Sequence, residues 1–172
     1  MLEIIHFPKE KKDDMRTLTA LADLWEEAFK SYDDDNPLAE FMECLTPGRL
    51  ALLALDGEYP VGFAGAIPQY GVTGWELHPL MVAKAYQGRG LGGKLLQAMD
   101  DAVRVRGGLT FSLGRDDIDG STSLANCDLY TDLWNKVRKI QTLVSAQHHY
   151  EIYRRHGFTI VDFTPEATGP GK

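Results

Sequence analysis

The spacing of apolar residues changes character at residue 49, and the chain reads differently on the two sides. Before it, Leu2 to Phe7 is a short apolar run that predicts a strand, and Lys9 to Asp14 is a charged turn. Met15, Leu18, Ala22, Trp25 and Phe29 then recur at three- and four-residue steps, the stripe of an amphipathic helix. The run from Ser31 to Pro37 ends that helix, and a shorter one is predicted over Leu38 to Leu45.

From Arg49 onward the apolar runs are short and bounded by turn residues. Leu50 to Leu55 reads as a buried strand, Asp56-Gly57 as a hairpin turn, and Tyr59 to Gln69 as the returning strand. Val72 to Val82 is a third strand. Gly92, Leu95, Leu96, Met99, Ala102 and Val103 mark one face of a helix, which Gly107-Gly108 closes as a C-cap. A strand over Leu109 to Leu113, a helix over Leu129 to Ile140, a short helix over Tyr150 to His156 and a strand over Phe158 to Phe163 complete the series. This order predicts an α/β (α+β) fold, a mixed and mostly antiparallel sheet flanked by helices. No repeat or composition shift divides the 172 residues, so one domain over 1–172 is expected.

Charge narrows the partners. The formal net charge of -7 disfavours nucleic acid, whose phosphates call for a basic surface, and suits a small cationic ligand. No apolar run is long enough to cross a bilayer, and Met1 to His6 lacks the features of a signal peptide. A cytoplasmic protein without membrane association is the expectation. Cys44 and Cys127 have no metal-type spacing, His148 and His149 read as surface residues, and no metal site is expected.

The segment Gln87-Gly88-Arg89-Gly90-Leu91-Gly92-Gly93-Lys94 joins a strand to a helix. Helix starts carry unpaired N–H groups and partial positive charge, and glycine lets backbone approach a ligand closely, so this is a pyrophosphate cradle. Arg89 and Lys94 add charge. The loop lacks the Lys-Ser/Thr ending of a Walker loop. Gly88, Gly90 and Gly93 meet the dinucleotide spacing, but mid-chain and after an antiparallel hairpin.

The strand before it carries the candidate chemistry. Alternation places Glu76, His78 and Leu80 on one face, with Glu76 and His78 about 6.6 Å apart. A carboxylate and an imidazole in a central strand are costly unless paired or hydrated, which points to a functional site or to a structural ion pair. Pro79 has no N–H and interrupts the ladder, leaving the Leu80 amide as a candidate oxyanion donor.

The run Val82-Ala83-Lys84-Ala85-Tyr86-Gln87-Gly88-Arg89-Gly90-Leu91-Gly92 resembles the acetyl-CoA motif of the GNAT N-acetyltransferases. Three longer stretches, Val61 to Leu80, Arg106 to Asp119, and Asp128 to Phe158 in segments, resemble the aminoglycoside 6′-N-acetyltransferases of the enterococcal chromosomal type. The resemblance implies a GNAT fold whose splayed strand pair holds acetyl-CoA. Leu80, Met81, Val82 and the loop Gln87 to Lys94 would contact the cofactor, with the backbone amides of Gln87 to Gly92 on its pyrophosphate. It implies Glu76 as the base, directly or through water, His78 beside it, and Tyr153 as the proton donor to the departing thiolate. Trp25, Tyr70, Trp75, Glu76 and the loop acids Asp116, Asp117 and Asp119 would surround a cationic aminoglycoside, and a homodimer is expected. The family pattern continues into one more strand than Phe158 to Phe163 supplies. Three other readings stay open on the residues alone: acetylation of a polyamine, protein or other metabolite amine; a non-catalytic acetyl-CoA sensor; and a dinucleotide-binding domain.

Overall fold

Five strands form one sheet in the order β1-β2-β3-β4-β5: Leu2–His6 (β1), Leu50–Asp56 (β2), Tyr59–Tyr70 (β3), Gly74–Val82 (β4) and Thr110–Ser112 (β5). The computed structural model describes residues 1–29, 37–115, 120, 122–125, 127–141 and 150–164. Neighbours β1 to β4 pair antiparallel, and β5 joins β4 in parallel. The expected mixed, mostly antiparallel sheet is therefore present. The chain divides into two compact units, Met1–Leu113 and Gly114–Lys172. The sheet belongs to the first.

Two helices cover one face of the sheet. Helix α1 (Met15–Ala28) starts at Asp14, whose carboxylate accepts from the amides of Arg16 and Thr17 at 3.3 Å each and so satisfies two donors of the first turn. Its buried face is Thr17, Ala20, Leu21, Leu24 and Trp25. That face is rotated from the predicted stripe. Met15 is 72 % exposed at the first turn, and only Trp25 of the five predicted residues is fully buried. Helix α2 (Pro37–Cys44) brings Cys44 to the same side, where Leu21, Leu24, Trp25, Leu53, Phe63 and Met81 pack together. Each such Leu or Phe contributes roughly 1.5–3 kcal/mol by leaving water.

Helix α3 (Leu91–Val105) covers the opposite face. Leu95 lies against Gly62 of β3, where a Cβ would stand 3.0 Å from its Cδ1. Its end is the predicted glycine cap. Gly107 has φ +83°, and the amides of Gly107 and Gly108 donate to Arg104 and Val103 at 2.9 and 3.0 Å.

The ladder between β3 and β4 contains two irregularities that set the geometry of the site. Ala64 pairs with Leu80 but Ala66 pairs with Leu77, so Gly65 faces two residues, His78 and Pro79. Pro68 pairs with Trp75 and Tyr70 with Gly74, so Gln69 is extra on the other strand. A one-residue shift exchanges the faces of a strand. Phe63 and its partner Met81 belong to the α1 side, as do Ile67 and its partner Glu76. Leu80, opposite Ala64, belongs to the α3 side. The expectation that Glu76 and Leu80 share a face is corrected here, because the bulge at His78 and Pro79 changes the phase between them.

In the second unit, α4 covers Leu133–Arg138 and α5 covers Tyr150–Arg155. Helix α4 is shorter than the predicted Leu129 to Ile140. Asp132 has φ +55°, and Asp128 accepts from the Tyr130 amide at 2.9 Å, so the residues before Leu133 turn instead of coiling. The predicted strand Phe158 to Phe163 is irregular chain. Its apolar residues meet no partner strand among the described residues, and a strand exists only through pairing.

Candidate active site

Helix α3 begins without a side-chain cap. Its N-cap is Gly90, with φ +81°, and the first amide to bond back into the helix is that of Lys94, to the Gly90 carbonyl at 3.1 Å. The amides of Leu91, Gly92 and Gly93 precede it and have no acceptor within an α-helix. Gly88 also has positive φ, +70°, and a Cβ at either glycine would meet nothing within 4 Å. These glycines therefore serve the backbone path and leave the helix start open. Such an arrangement fits a diphosphate.

Gln87 contributes differently from expectation. Its own amide closes the 3-10 turn Lys84–Tyr86 by donating to the Lys84 carbonyl at 3.2 Å, and its side chain donates to the Val82 carbonyl at 2.9 Å. It ties the loop to the end of β4. Glu27 of α1 accepts from the Lys84 amide at 3.1 Å, and Tyr86 donates to Asp56 at 2.9 Å, so both sides of the turn are anchored. That bond lowers the Asp56 carboxyl and raises the Tyr86 phenol. The Arg89 guanidinium stands 5.8 Å from the centre of the Tyr86 ring, and Lys94 is exposed.

The edge of β4 lies between the loop and β5. Pairing with β5 covers Gly74, Trp75 and Glu76 only, while β4 runs on to Val82. The Ala83 amide donates to Val61 at 3.0 Å, which fixes the alternation of the ladder. Met81 and Ala83 direct their amides toward β3, and Leu80 and Val82 direct theirs to the other side. Among the described residues no strand pairs with β4 beyond Glu76 on that side. The Leu80 and Val82 amides thus lie on the side of β4 where, among the described residues, no strand pairs with it.

Glu76, on the α1 face, and His78, in the bulge, are half-buried. Glu76 Oε2 accepts from Gln69 Nε2 at 2.5 Å. Gln69 was not singled out by the sequence, whose only signal was its place at a strand end before Tyr70-Gly71. The His78 carbonyl accepts from the Cys44 thiol at 2.8 Å. Tyr70 is 81 % exposed at the strand end and remains available to a ligand.

Two aromatic residues expected at the acceptor are buried. Trp75 is on the α3 face, opposite Glu76, with its Nε1 donating to Val72 at 2.8 Å. Trp25 is a core residue, its ring centroid 4.6 Å from that of Phe29. Met81 is buried on the α1 side, so only its backbone is within reach of the splay. Asp116, Asp117 and Asp119 lie outside the described residues, as do His148 and His149.

Tyr153 belongs to α5 of the second unit. Burial pushes its phenol above the ordinary value, opposed in smaller part by the Arg115 cation. Its ring packs edge-on against Phe158, 6.0 Å between centroids.

A glycine-opened helix start and a strand edge left unpaired beyond Glu76 fit the site of a coenzyme A-dependent acyltransferase. The profile of the acetyltransferase (GNAT) family matches residues 18–133, and the chain belongs to this family. Its acyl donor is acetyl-CoA. Among solved structures, an aminoglycoside 6′-N-acetyltransferase complexed with coenzyme A is 38% identical with a TM-score of 0.89, covering 97% of this chain and 90% of that one. The aminoglycoside 6′-N-acetyltransferase from Enterococcus faecium is also 38% identical, with a TM-score of 0.86 and the same coverage. An aminoglycoside 6′-acetyltransferase type Ii is 32% identical with a TM-score of 0.73, covering 97% of this chain and 89% of that one. No curated protein sequence matches. Among the described residues, no helix is long and apolar enough to cross a membrane.

Proposed function

We propose that this acetyltransferase acts on the 6′-amine of an aminoglycoside. The observation that carries the reading is the relation of Glu76 to the open edge of β4: a carboxylate on one face, and four residues on an amide aimed into the splay. Identity of 38% over 97% of the chain to an aminoglycoside 6′-N-acetyltransferase supports the acceptor class. So does the net charge of -7, which favours a polycation.

When bound, acetyl-CoA supplies an acetyl group activated as a thioester. Leu91, Gly92 and Gly93 hold its diphosphate through their amides, while Leu80 and Val82 line its arm. Glu76 takes a proton from the acceptor ammonium, directly or through water, and so frees the amine lone pair. The Leu80 amide donates to the acetyl oxygen as that oxygen gains negative charge. Tyr153 gives a proton to the departing sulfur. His78 orders the same face beside Glu76. Asp116, Asp117 and Asp119 bind the remaining ammonium groups of the acceptor. We also read the protein as a cytoplasmic homodimer built from one acetyltransferase domain per chain, and as a determinant of aminoglycoside resistance.

Thiol release from acetyl-CoA, measured in parallel with kanamycin, spermidine and a basic peptide, tests the proposal. Turnover with kanamycin at the highest kcat/KM is the expected result. Faster turnover of spermidine or the peptide would overturn the acceptor assignment.

A further inference from the structure

We propose that Gln69 is a positioning residue that occupies Oε2 of Glu76 and leaves Oε1 to take the acceptor's proton. The inference rests on the reading of Glu76 as the base. Gln69 is the extra residue of the bulge on β3, so it and Tyr70 together oppose Gly74, next to the Glu76 pairing. Bulges re-aim side chains, and this one delivers the carboxamide to the carboxylate, with Nε2 at 2.5 Å from Oε2. Both ends of the bond are accessible to water: Gln69 is exposed and Glu76 half-buried. Two such polar groups gain little from the bond in stability, which leaves orientation as its consequence.

The chemistry favours a carboxylate pinned at one oxygen. An unpinned carboxylate turns about its last bond and offers either oxygen at varying angles, whereas a held one presents a single acceptor. Glu76 receives the proton of an R–NH3⁺ group at Oε1, giving neutral R–NH2 and a carboxylic acid. Oε2 is then the carbonyl oxygen of that acid and still accepts from Gln69. The hydrogen bond survives the transfer, so the side chain need not reorganise when the proton moves.

Three variants test the inference with acetyl-CoA and kanamycin, each checked for native thermal melting. Gln69→Leu removes the donor and leaves an apolar side chain of one atom less reach. It should lower kcat about tenfold or more with little change in KM for acetyl-CoA, and move the acid limb of kcat/KM to higher pH, because a donor favours the charged carboxylate. Gln69→Glu places a second carboxylate beside Glu76 and should move that limb further in the same direction. Glu76→Gln is the reference: loss of the acid limb upholds the base. If Glu76→Gln loses the limb while Gln69→Leu matches the native enzyme, the Gln69 inference fails and the base stands. If Glu76→Gln keeps the native profile, the base reading fails as well. A readout free of turnover is the carboxyl ¹³C resonance of Glu76, assigned by its absence in Glu76→Gln. It should shift in Gln69→Leu at neutral pH, and an unmoved resonance would overturn the inference even without an active acceptor.

Discussion

Gly65 and His78 meet across the β3–β4 ladder with no room for a side chain between them. A Cβ on Gly65 would stand 2.4 Å from the His78 carbonyl oxygen and 2.5 Å from the Cys44 sulfur. The bulge that separates Glu76 from Leu80 is therefore shaped from the neighbouring strand.

Gly65→Ala should push directly on that bulge. Overpacking of this kind costs roughly 1–3 kcal/mol, readable as a lower midpoint in urea. At a temperature where the variant is folded, kcat should fall about tenfold or more, because the Glu76 carboxylate and the Leu80 amide lose their spacing. A variant with the native kcat would show that the bulge does not set the reacting geometry.

Cys44 tests the same contact from the other side. Cys44→Ala leaves the His78 carbonyl without this part-buried bond and should cost roughly 0.5–1.5 kcal/mol by denaturant titration. Cys44→Ser keeps a donor at the site and should retain more turnover than Cys44→Ala. Equal turnover in the two variants would assign the thiol to packing alone.

The start of α3 can be tested through backbone strain. At Gly90 a Cβ meets nothing, but φ is +81°. Gly90→Ala should therefore act through conformation, at about 1–2 kcal/mol, and should weaken coenzyme A binding in calorimetry. Gly114→Ala is the control, because Gly114 has neither positive φ nor a close neighbour. Its stability and coenzyme A affinity should be unchanged.

Tyr153 makes a pH argument with a definite sign. Burial raises its phenol above 10.0, so the folded state keeps the proton longer than the unfolded state. Its contribution to stability is complete below the unfolded value and is lost as pH rises through the folded one. Native stability should fall above about pH 10, and less steeply in Tyr153→Phe. For catalysis, Tyr153→Phe should lower kcat without altering the shape of the kcat profile between about pH 7 and 9, where the native phenol stays protonated. A basic limb in that window that vanishes in Tyr153→Phe would contradict this.

Much of the first unit was legible because local rules governed it. The helix stop at Gly107-Gly108 and the Asp56-Gly57 hairpin depend on a few adjacent residues and stand where they were read. Misreadings arose where distant partners decide. The stripe of α1 was displaced because Thr17, Ala20 and Leu21 turn inward while Met15 stays in water. The helix before Arg138 was overextended because Asp128 and Asp132 favour turns, which apolar spacing alone does not register. Phe158 to Phe163 carries the residues of a strand, but among the described residues no strand pairs with it.

The site divides in the same way. From sequence alone came the glycine-opened helix start, the central strand bearing Glu76 and His78, and the acetyltransferase family itself, since helix termini, glycine freedom and consecutive motif residues are all written locally. Only tertiary structure decided that Leu80 turns to the face opposite Glu76, that Gln69 reaches its carboxylate, and that the Leu80 amide lies on the unpaired side of β4. The physical reason is the bulge. Its place depends on Gly65 and Cys44 packing against His78 from other elements, and one displaced residue exchanges the two faces of a strand.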